Sequence, residues 1–323
     1  MRICRITAKI AAVCMLLFLN FAFAQDYPNK PIRIVYGFAP GGGPDVLGRL
    51  LSKQLFAQMG QPVIFENRPG ATSTIAAAAV AKAPPDGYTI LMITPTHVIA
   101  PNFYRQLAFD PIVNFAPVAM VASQPLFLGV NADSPIKSVS DLISLAKSKP
   151  GVVNYATPGV GSPQHLATEL FAANAGIRMV HVPYKSGSEM TVALLSGEVQ
   201  MVLLGLAPML SHVKSGRLRL LAVAADKRYP AVPEVPTFSE VGLPGTDVDN
   251  WIGIVAPAGT PKNVIEKLNA QIAKAMEEPE MGLRLGQQGA VVNLGSSADF
   301  GVFMKEEAAK WAKAARASGA KAE

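Results

Sequence analysis

The chain has 323 residues, of which 50% are hydrophobic and 16% are charged, and this composition excludes a disordered chain. The length is enough for one large or two medium domains. The formal net charge is +6, but Arg2, Arg5 and Lys9 lie in the first 24 residues, which contain no acidic residue. The remaining 26 basic and 23 acidic residues leave a charge too small and dispersed to indicate nucleic-acid binding.

The first 24 residues have the features of a cleavable export signal. A basic start precedes the apolar run Ile10–Leu19, which is too short to span a bilayer comfortably. Ala22 and Ala24 then place small residues where a signal peptidase reads them, so we predict cleavage after Ala24 and export of a soluble protein. A membrane anchor is the alternative. Cys4 and Cys14 both lie in this segment, which leaves the mature chain without disulfides, thiol catalysis or cysteine-bound metals.

Strands and helices alternate along the mature chain. Strands and strand-like apolar runs are predicted at Ile32–Tyr36, Val63–Phe65, Tyr88–Ile93, Val153–Ala156, Met179–Val182, Val199–Leu204 and Leu218–Ala224. Helices are predicted from Leu47 to Leu55 and at Thr74–Lys82, Ser138–Ser148, Ser162–Asn174, Ser188–Ser196, Ile265–Met276 and Phe303–Ala315. This alternation predicts an α/β fold of parallel sheets covered by helices, in two lobes. The proline-rich stretch Tyr229–Pro244 is the candidate for a crossing or linker segment.

Two strand-to-helix loops have the composition of an anion-binding site. The loop Phe38–Asp45 contains three glycines, which allow the backbone to approach a ligand closely, and Pro44 fits the first position of a helix. The loop Thr157–His165 repeats this arrangement, with Ser162 as the N-cap. Both loops would direct free backbone N–H groups at a carboxylate or phosphate. A third helix start, Gly70–Thr74, also follows a strand and offers three hydroxyl groups.

The two loops do not match the known catalytic motifs. The glycines of the first loop are not followed by Gly-Lys-Ser/Thr, neither loop fits the dinucleotide fingerprint, and Ser162 lacks the nucleophile elbow of hydrolases. A triad of Ser162, His165 and a distant aspartate remains an alternative. His97, His165, His181 and His212 lack metal-ligand spacing, so we expect no metal and no cofactor.

Three further residues each admit more than one interpretation. His165 would either line a cleft or be an ordinary histidine on a helix face. Lys185, after the strand ending at Val182, would either supply charge to an acid or be solvated. Trp251 would lie over the cleft, at the lobe junction or in the core.

Five motifs occur in the order in which a known receptor family has them. They are Phe38-Ala39-Pro40-Gly41-Gly42-Gly43-x-Asp45, Glu66-Asn67-Arg68-Pro69-Gly70-Ala71, Pro85-Asp86-Gly87-Tyr88-Thr89, His181-Val182-Pro183-Tyr184-Lys185 and Pro257-Ala258-Gly259-Thr260-Pro261. The chain thereby resembles the Bug (Bordetella uptake gene) family, the extracytoplasmic solute receptors of tripartite tricarboxylate transporters. The resemblance extends from Tyr27 to the last helix.

The resemblance implies a fold, a location and a partner. We expect a two-lobe periplasmic binding protein of type II, the Venus-flytrap kind, with a ligand cleft between the lobes. Lobe 1 would comprise residues 25–127 and 250–323, and lobe 2 residues 128–249. Such a protein would be a monomer without catalytic activity that hands a small carboxylate to a membrane permease of one large and one small subunit.

The resemblance also implies which residues bind the carboxylate, chiefly through main-chain amides and ordered waters. On one side these are Phe38, Ala39, Pro40, Gly41, Gly42, Gly43 and Asp45, and on the other Gly159, Gly161, Ser162 and His165. Thr72 and Ser73 replace a stretch richer in Gly and Asn and would bring hydroxyls near the cleft. Thr94, Tyr184 and Leu204 complete the predicted lining.

Two departures from the family pattern concern ligand choice. Pro44 stands where Thr or Ser is usual, which removes a hydroxyl. Leu204 stands where many members have an acid, which would disfavour amino acids and favour an apolar or aromatic acid, or a dicarboxylate without an amine. Alternatively, Leu204 points into the core and leaves ligand choice unaffected. Two other functions stay open: an exported hydrolase using Ser162 and His165, and a ligand-sensing partner of a membrane kinase.

Overall fold

The structure is a computed structural model that describes residues 27–318 except 105, 226, 247 and 288. The predicted export signal, residues 1–24, lies outside the described residues. Within the described part of the chain, no helix is long and apolar enough to cross a membrane.

Ten strands and ten helices are present in the described residues. The strands are β1 (Ile32–Tyr36), β2 (Val63–Asn67), β3 (Thr89–Ile93), β4 (Phe115–Asn131), β5 (Asn154–Thr157), β6 (Val180–Pro183), β7 (Met201–Gly205), β8 (Leu218–Ala224), β9 (Asp249–Pro257) and β10 (Val291–Val292). The helices are α1 (Gly43–Met59), α2 (Thr74–Ala81), α3 (Thr96–Ile99), α4 (Val139–Ser148), α5 (Pro163–Ala175), α6 (Gly187–Ser196), α7 (Leu210–Lys214), α8 (Lys262–Met276), α9 (Pro279–Gln287) and α10 (Ser297–Ser318).

The strands form two sheets that share β4. In the first sheet the order is β2-β1-β3-β9-β4, and β1 pairs in parallel with β2 and β3. In the second the order is β4-β7-β5-β6, and β5 pairs in parallel with β6 and β7. Up to Pro125, β4 pairs with β9, and from Leu126 it pairs with β7 and β8. The chain is therefore a mixed α/β fold.

The predicted α/β fold is confirmed, but the sheets are mixed and not only parallel, because the prediction missed β4 and β9. Strand β4 runs antiparallel to β7, β8, β9 and β10, and β9 runs antiparallel to β3. Pro117 and Pro125 lie inside β4 and donate no backbone hydrogen bonds, so the segment does not read as a central strand. The register of β4 against β9 shifts between Pro117 and Ala119, which accommodates one of these prolines.

The segment Tyr229–Pro244 is not an exposed linker. It connects β8 to β9, but Val232, Val235 and Phe238 are buried, and the backbone N–H of Phe238 donates to the carbonyl of Val223. The connection between the two sheets is thus packed onto the second sheet. A bulky apolar side chain about every third residue was the signal for that burial.

The helices pack as their apolar spacing predicts. Leu47, Leu51 and Leu55 recur every four residues along α1, so they share one face, and all three are fully buried. They lie in one core cluster with Leu268 and Ile272 of α8. This packing holds α1 against the first sheet and fixes where α1 begins.

The carboxylate of Glu307 connects the C-terminal helix α10 to strand β9 of the first sheet by hydrogen bonds. One of its oxygens accepts hydrogen bonds from the indole N–H of Trp251, at 2.8 Å, and of Trp311, at 2.7 Å. The other oxygen lies 3.1 Å from Lys310 Nζ. Trp251 is fully buried, so it belongs to the core and not to the cleft.

Replacing Glu307 with leucine should destabilise the fold. The substitution leaves two buried indole N–H groups without an acceptor, each costing about 1–3 kcal/mol. We expect urea denaturation of Glu307→Leu to show a free energy of unfolding lower by about 3 kcal/mol. Glu306→Leu, at the exposed neighbouring position, is the control and should change little. Equal effects of the two substitutions would contradict this account.

Candidate functional site

A cavity of about 70 Å³ lies where the loops of the two sheets face each other. It is lined by Tyr36, Phe38, Ala39, Gly42, Gly43, Pro44, Thr94, Thr96, Gln124, Pro158, Pro163, Gln164, Lys185, Ser186, Gly187, Leu204, Gly205, Pro208 and Asn250. Most of these residues follow the carboxyl ends of β1, β3, β5, β6 and β7, where ligands of α/β sheets bind.

The first wall of the cavity is the start of α1, and hydrogen bonds hold the preceding loop in place. Gly42 is the N-cap, with extended backbone and no side-chain cap, so the first N–H groups of the helix are not capped by a side chain. Asp45 does not line the cavity. Its carboxylate accepts from the backbone N–H of Gly41, at 3.3 Å, and binds Arg49 and Asn67. Asn67 in turn donates to the carbonyl of Phe38, so these contacts fix the loop.

The second wall is the start of α5. Ser162 Oγ accepts from the backbone N–H of His165, at 3.2 Å, and donates to the carbonyl of Gly159, at 2.7 Å. Pro163 occupies the first turn, as predicted from the sequence. The imidazole Nδ1 of His165 accepts from the backbone N–H of Gly161, at 3.4 Å, and the partners of Ser162 Oγ are both backbone groups. The hydroxyl is thus used as a cap, and the geometry does not support the nucleophile–base pair of the hydrolase alternative.

The third wall is the start of α6, which the sequence analysis did not assign to the site. Ser186 is the N-cap and accepts from the backbone N–H of Glu189, while the Glu189 carboxylate accepts from the N–H of Lys185. Lys185, Ser186 and Gly187 all line the cavity. The pattern Ser-x-x-Glu is a capping box and could have located this helix start. The predicted third start, Gly70–Thr74, does not contribute to the lining.

Two hydrogen bonds join the walls across the cavity mouth. Ser188 Oγ lies 3.4 Å from the carbonyl of Gly41, and Thr72 Oγ1 donates to the carbonyl of Val160 at 3.2 Å. Gly159, next to this contact, has φ +127°, a backbone conformation that residues with a side chain rarely adopt, so glycine is favoured where these loops meet.

The Thr72 contact is made by a strained segment. Ala71, Thr72 and Ser73 have φ values of +43°, +51° and +74°, a left-handed conformation that residues other than glycine rarely adopt. Thr72 Oγ1 also pairs with the hydroxyl of Tyr104 at 2.8 Å. The hydroxyls predicted near the cleft thus connect the loops outside the cavity.

The lining of the cavity is almost uncharged. Among the described lining residues, Lys185 is the one charged side chain and no aspartate or glutamate is present. Burial raises the pKa of the Tyr36 phenol, so this group stays protonated. Leu204 reaches the cavity from the end of β7, although it also packs in the core of the second sheet.

The predicted site residues fall into two groups. Those that line the cavity are Phe38, Ala39, Gly42, Gly43, Thr94 and Leu204. Those that lie outside the lining are Pro40, Gly41, Asp45, Thr72, Ser73, Gly159, Gly161, Ser162, His165 and Tyr184. Several of the second group shape the loops, as the bonds of Asp45 and Ser162 show.

Two histidines lie side by side behind the second wall. The rings of His165 and His181 are 4.7 Å apart, and His181 Nε2 lies 2.6 Å from Thr157 Oγ1. Burial, followed by the charge of His181, lowers the pKa of His165 to about 4, and burial also lowers the pKa of His181. No cluster of three metal-ligating side chains occurs within the described residues.

Acidification should destabilise the protein through this pair. The ordinary histidine pKa of 6.5 applies to the unfolded chain, which therefore binds more protons than the folded protein between pH 6.5 and about 4. The contribution of the pair to stability is fully present above pH 6.5 and is lost as the pH falls through this window. His165 alone contributes a loss on the order of 3 kcal/mol by pH 4.

Thermal melting between pH 7.5 and 4 measures this loss. His165→Gln should flatten the pH dependence, with a remainder from His97, whose pKa burial also lowers to about 4. His212→Gln is the comparison: burial and the charge of Arg217 also lower the pKa of His212, but this side chain is only half-buried, so the profile should flatten less than in His165→Gln. A His165→Gln profile as steep as that of the unsubstituted protein would show that His165 is not held neutral.

Comparison with known proteins gives consistent matches. The model of the tripartite tricarboxylate transporter family receptor matches residues 47–319. Protein BugT of Bordetella pertussis (strain Tohama I) is 34% identical over 300 residues, which cover 92% of this chain and 92% of BugT.

Two solved structures are similar over nearly the whole chain. R. palustris Rpa4515 with adipate has a TM-score of 0.88 and 34% identity, covering 92% of this chain and 100% of that one. The periplasmic binding protein BugD has a TM-score of 0.86 and 29% identity, with coverage of 92% and 100%. Both similarities support the fold expected from the sequence motifs.

Proposed function

Since the chain belongs to the family of tripartite tricarboxylate transporter receptors, which bind substrates and are not enzymes, we propose that it captures a small carboxylate and delivers it unaltered to a membrane permease. The family consists of periplasmic binding proteins. We infer that this chain reaches the periplasm by cleavage after Ala24 and acts there as a monomer. Its permease would have one large and one small membrane subunit.

The observation that carries this proposal is the convergence of three helix starts on one cavity. Helices α1, α5 and α6 each begin at the lining, and Lys185 adds a positive charge. The N-terminus of a helix carries about half a positive charge and unpaired N–H groups, both of which favour an anion. Since no acidic side chain lines the cavity in the described residues, nothing there opposes a carboxylate.

A similar protein supports a carboxylate as ligand. The structure of R. palustris Rpa4515 contains adipate, and this chain shares 34% of its sequence with that protein. We infer that a ligand carboxylate binds among the backbone N–H groups of Gly42 and Gly43 on one side and those of α5 and α6 on the other.

The bonds across the cavity mouth support binding by lobe closure. We infer that residues 25–127 with 250–323, and residues 128–249, move as two lobes about the shared strand β4. The Ser188–Gly41 and Thr72–Val160 bonds join these two groups of residues. Opening would break both, so a ligand that contacts both walls shifts the population towards the closed form.

Ligand screening tests the proposal directly. A panel of mono-, di- and tricarboxylates and aromatic acids is added to the mature protein, and the melting temperature is followed. A ligand at 100 times its Kd should stabilise the folded protein by about 2.7 kcal/mol. The same acids should be recovered chemically unchanged after incubation. Stabilisation by neutral sugars or cationic compounds, and by no acid, would overturn the proposal.

Leu204 should discriminate against ligands that carry an ammonium group. Its side chain offers no acceptor, so the ammonium of an amino acid would be buried there without a partner. In calorimetric titrations we expect succinate to bind more tightly than aspartate. Leu204→Asp should raise the affinity for aspartate about tenfold, since a bond to a charged group contributes about 1.5–3 kcal/mol.

Leu204→Asn is the matched control, because it adds polarity at the same position without charge. It should raise the affinity for aspartate less than Leu204→Asp does. Tighter binding of aspartate than of succinate by the unsubstituted protein would show that Leu204 does not select against amines.

A further inference from the structure

Three carboxamide side chains face the cavity. Gln124, Gln164 and Asn250 all belong to its lining, and their exposed fractions are 3%, 9% and 5%. A carboxamide carries two donors and an accepting oxygen, and such groups are normally hydrogen-bonded when buried. The groups that Gln164 and Asn250 can bond in the cavity therefore bear on the chemistry of the ligand.

Two of these side chains have no partner within the protein. In the described residues, neither Gln164 nor Asn250 makes a side-chain hydrogen bond. Gln164 is in the first turn of α5, whereas Asn250 belongs to β9. They reach the cavity from different elements, and both side chains are available to a ligand.

Gln124 places the third carboxamide between the two sheets. It is the register partner of Asn250 in the β4–β9 pair. A Cβ on Gly43 would lie 2.4 Å from Gln124 Nε2, and one on Gly205 would lie 2.9 Å from Gln124 Cδ. The two glycines thus make room for this amide at the floor of the cavity, beside the start of α1.

The chemistry of the carboxamides restricts the group that they bind. A carboxylate only accepts hydrogen bonds, so it would leave the amide oxygens of Gln164 and Asn250 without a donor. An ammonium only donates, and it would also lie against Leu204. A hydroxyl or a carboxamide both donates and accepts, and it satisfies both ends of the side chains.

We propose that the ligand is a carboxylic acid that also carries a neutral hydroxyl or carboxamide group, and that Gln164 and Asn250 bind this second group. The inference rests on the proposed function, because it assigns a second subsite in the same cavity. The helix starts would hold the carboxylate, and the carboxamides would select among acids of similar size. Gln124 would form the floor between them.

Pairs of acids that differ in one neutral group test this selection. The pairs are malate and succinate, 3-hydroxybutanoate and butanoate, succinamate and butanoate, and 4-hydroxybenzoate and benzoate, each titrated by calorimetry. For every pair in which binding is measurable, the acid with the additional group should bind about tenfold or more tightly. A site built to bond a hydroxyl or amide discriminates strongly against the analogue that lacks it.

Near-isosteric variants identify the residues responsible. Asn250→Leu and Gln164→Met should weaken the preferred acid of each pair about tenfold and leave its partner acid nearly unchanged, so that the preference disappears. Asn263→Leu, on the exposed surface of α8, is the matched control and should keep the preference. Thermal melts confirm that each variant is folded, and if Asn250→Leu fails to fold, Gln164→Met alone decides.

The outcomes separate this inference from the proposed function. If no acid of any pair binds, and none in the wider panel does, the proposed carboxylate receptor is wrong. If acids bind but both members of each pair bind equally, the receptor stands and the second subsite is wrong. A preference that survives both variants would likewise overturn the roles of Gln164 and Asn250.

Discussion

The proposed binding depends on the backbone N–H groups at the starts of three helices that no cap satisfies and that therefore need an acceptor. Helices α1, α5 and α6 each begin just beyond the carboxyl end of a parallel strand. Because the two sheets share β4, these strand ends face one another across a single cavity. An anion placed there meets N–H groups from both sheets without needing a strongly charged side chain from each.

Each loop that carries these N–H groups is held in place by side chains that bond its own backbone. The hydrogen bonds between loops of the two sheets are weaker. The Asp45 carboxylate and the Ser162 hydroxyl each bind the backbone of their own loop. Across the mouth, by contrast, two long hydrogen bonds connect the walls, at 3.2 Å and 3.4 Å. Rigid loops preserve the geometry of binding, and weak bonds between them are compatible with release of an unaltered ligand.

In the proposed site, anchoring and selection involve different parts of the cavity. Backbone N–H groups at helix starts would bind any carboxylate of suitable size, so they would distinguish acids poorly. Side chains such as Leu204 and Asn250 line the same cavity and would meet the remainder of the ligand. The same backbone frame can therefore serve receptors with different ligands, because selection changes with side chains that do not form the frame.

The sequence alone determined the alternation of strands and helices, the apolar face of α1, the two glycine-containing loops and the family motifs, since these signals are local. It did not determine which loop residues face the cavity: Asp45 and His165 were predicted to line it and instead lie behind the loops. The sequence did not predict strand β4, because the strand contains Pro117 and Pro125. It did not indicate Asn250 either, because this residue belongs to no recognised motif. Their positions depend on pairing between strands more than 100 residues apart, as in the β4–β9 register, and only tertiary packing specifies such pairing.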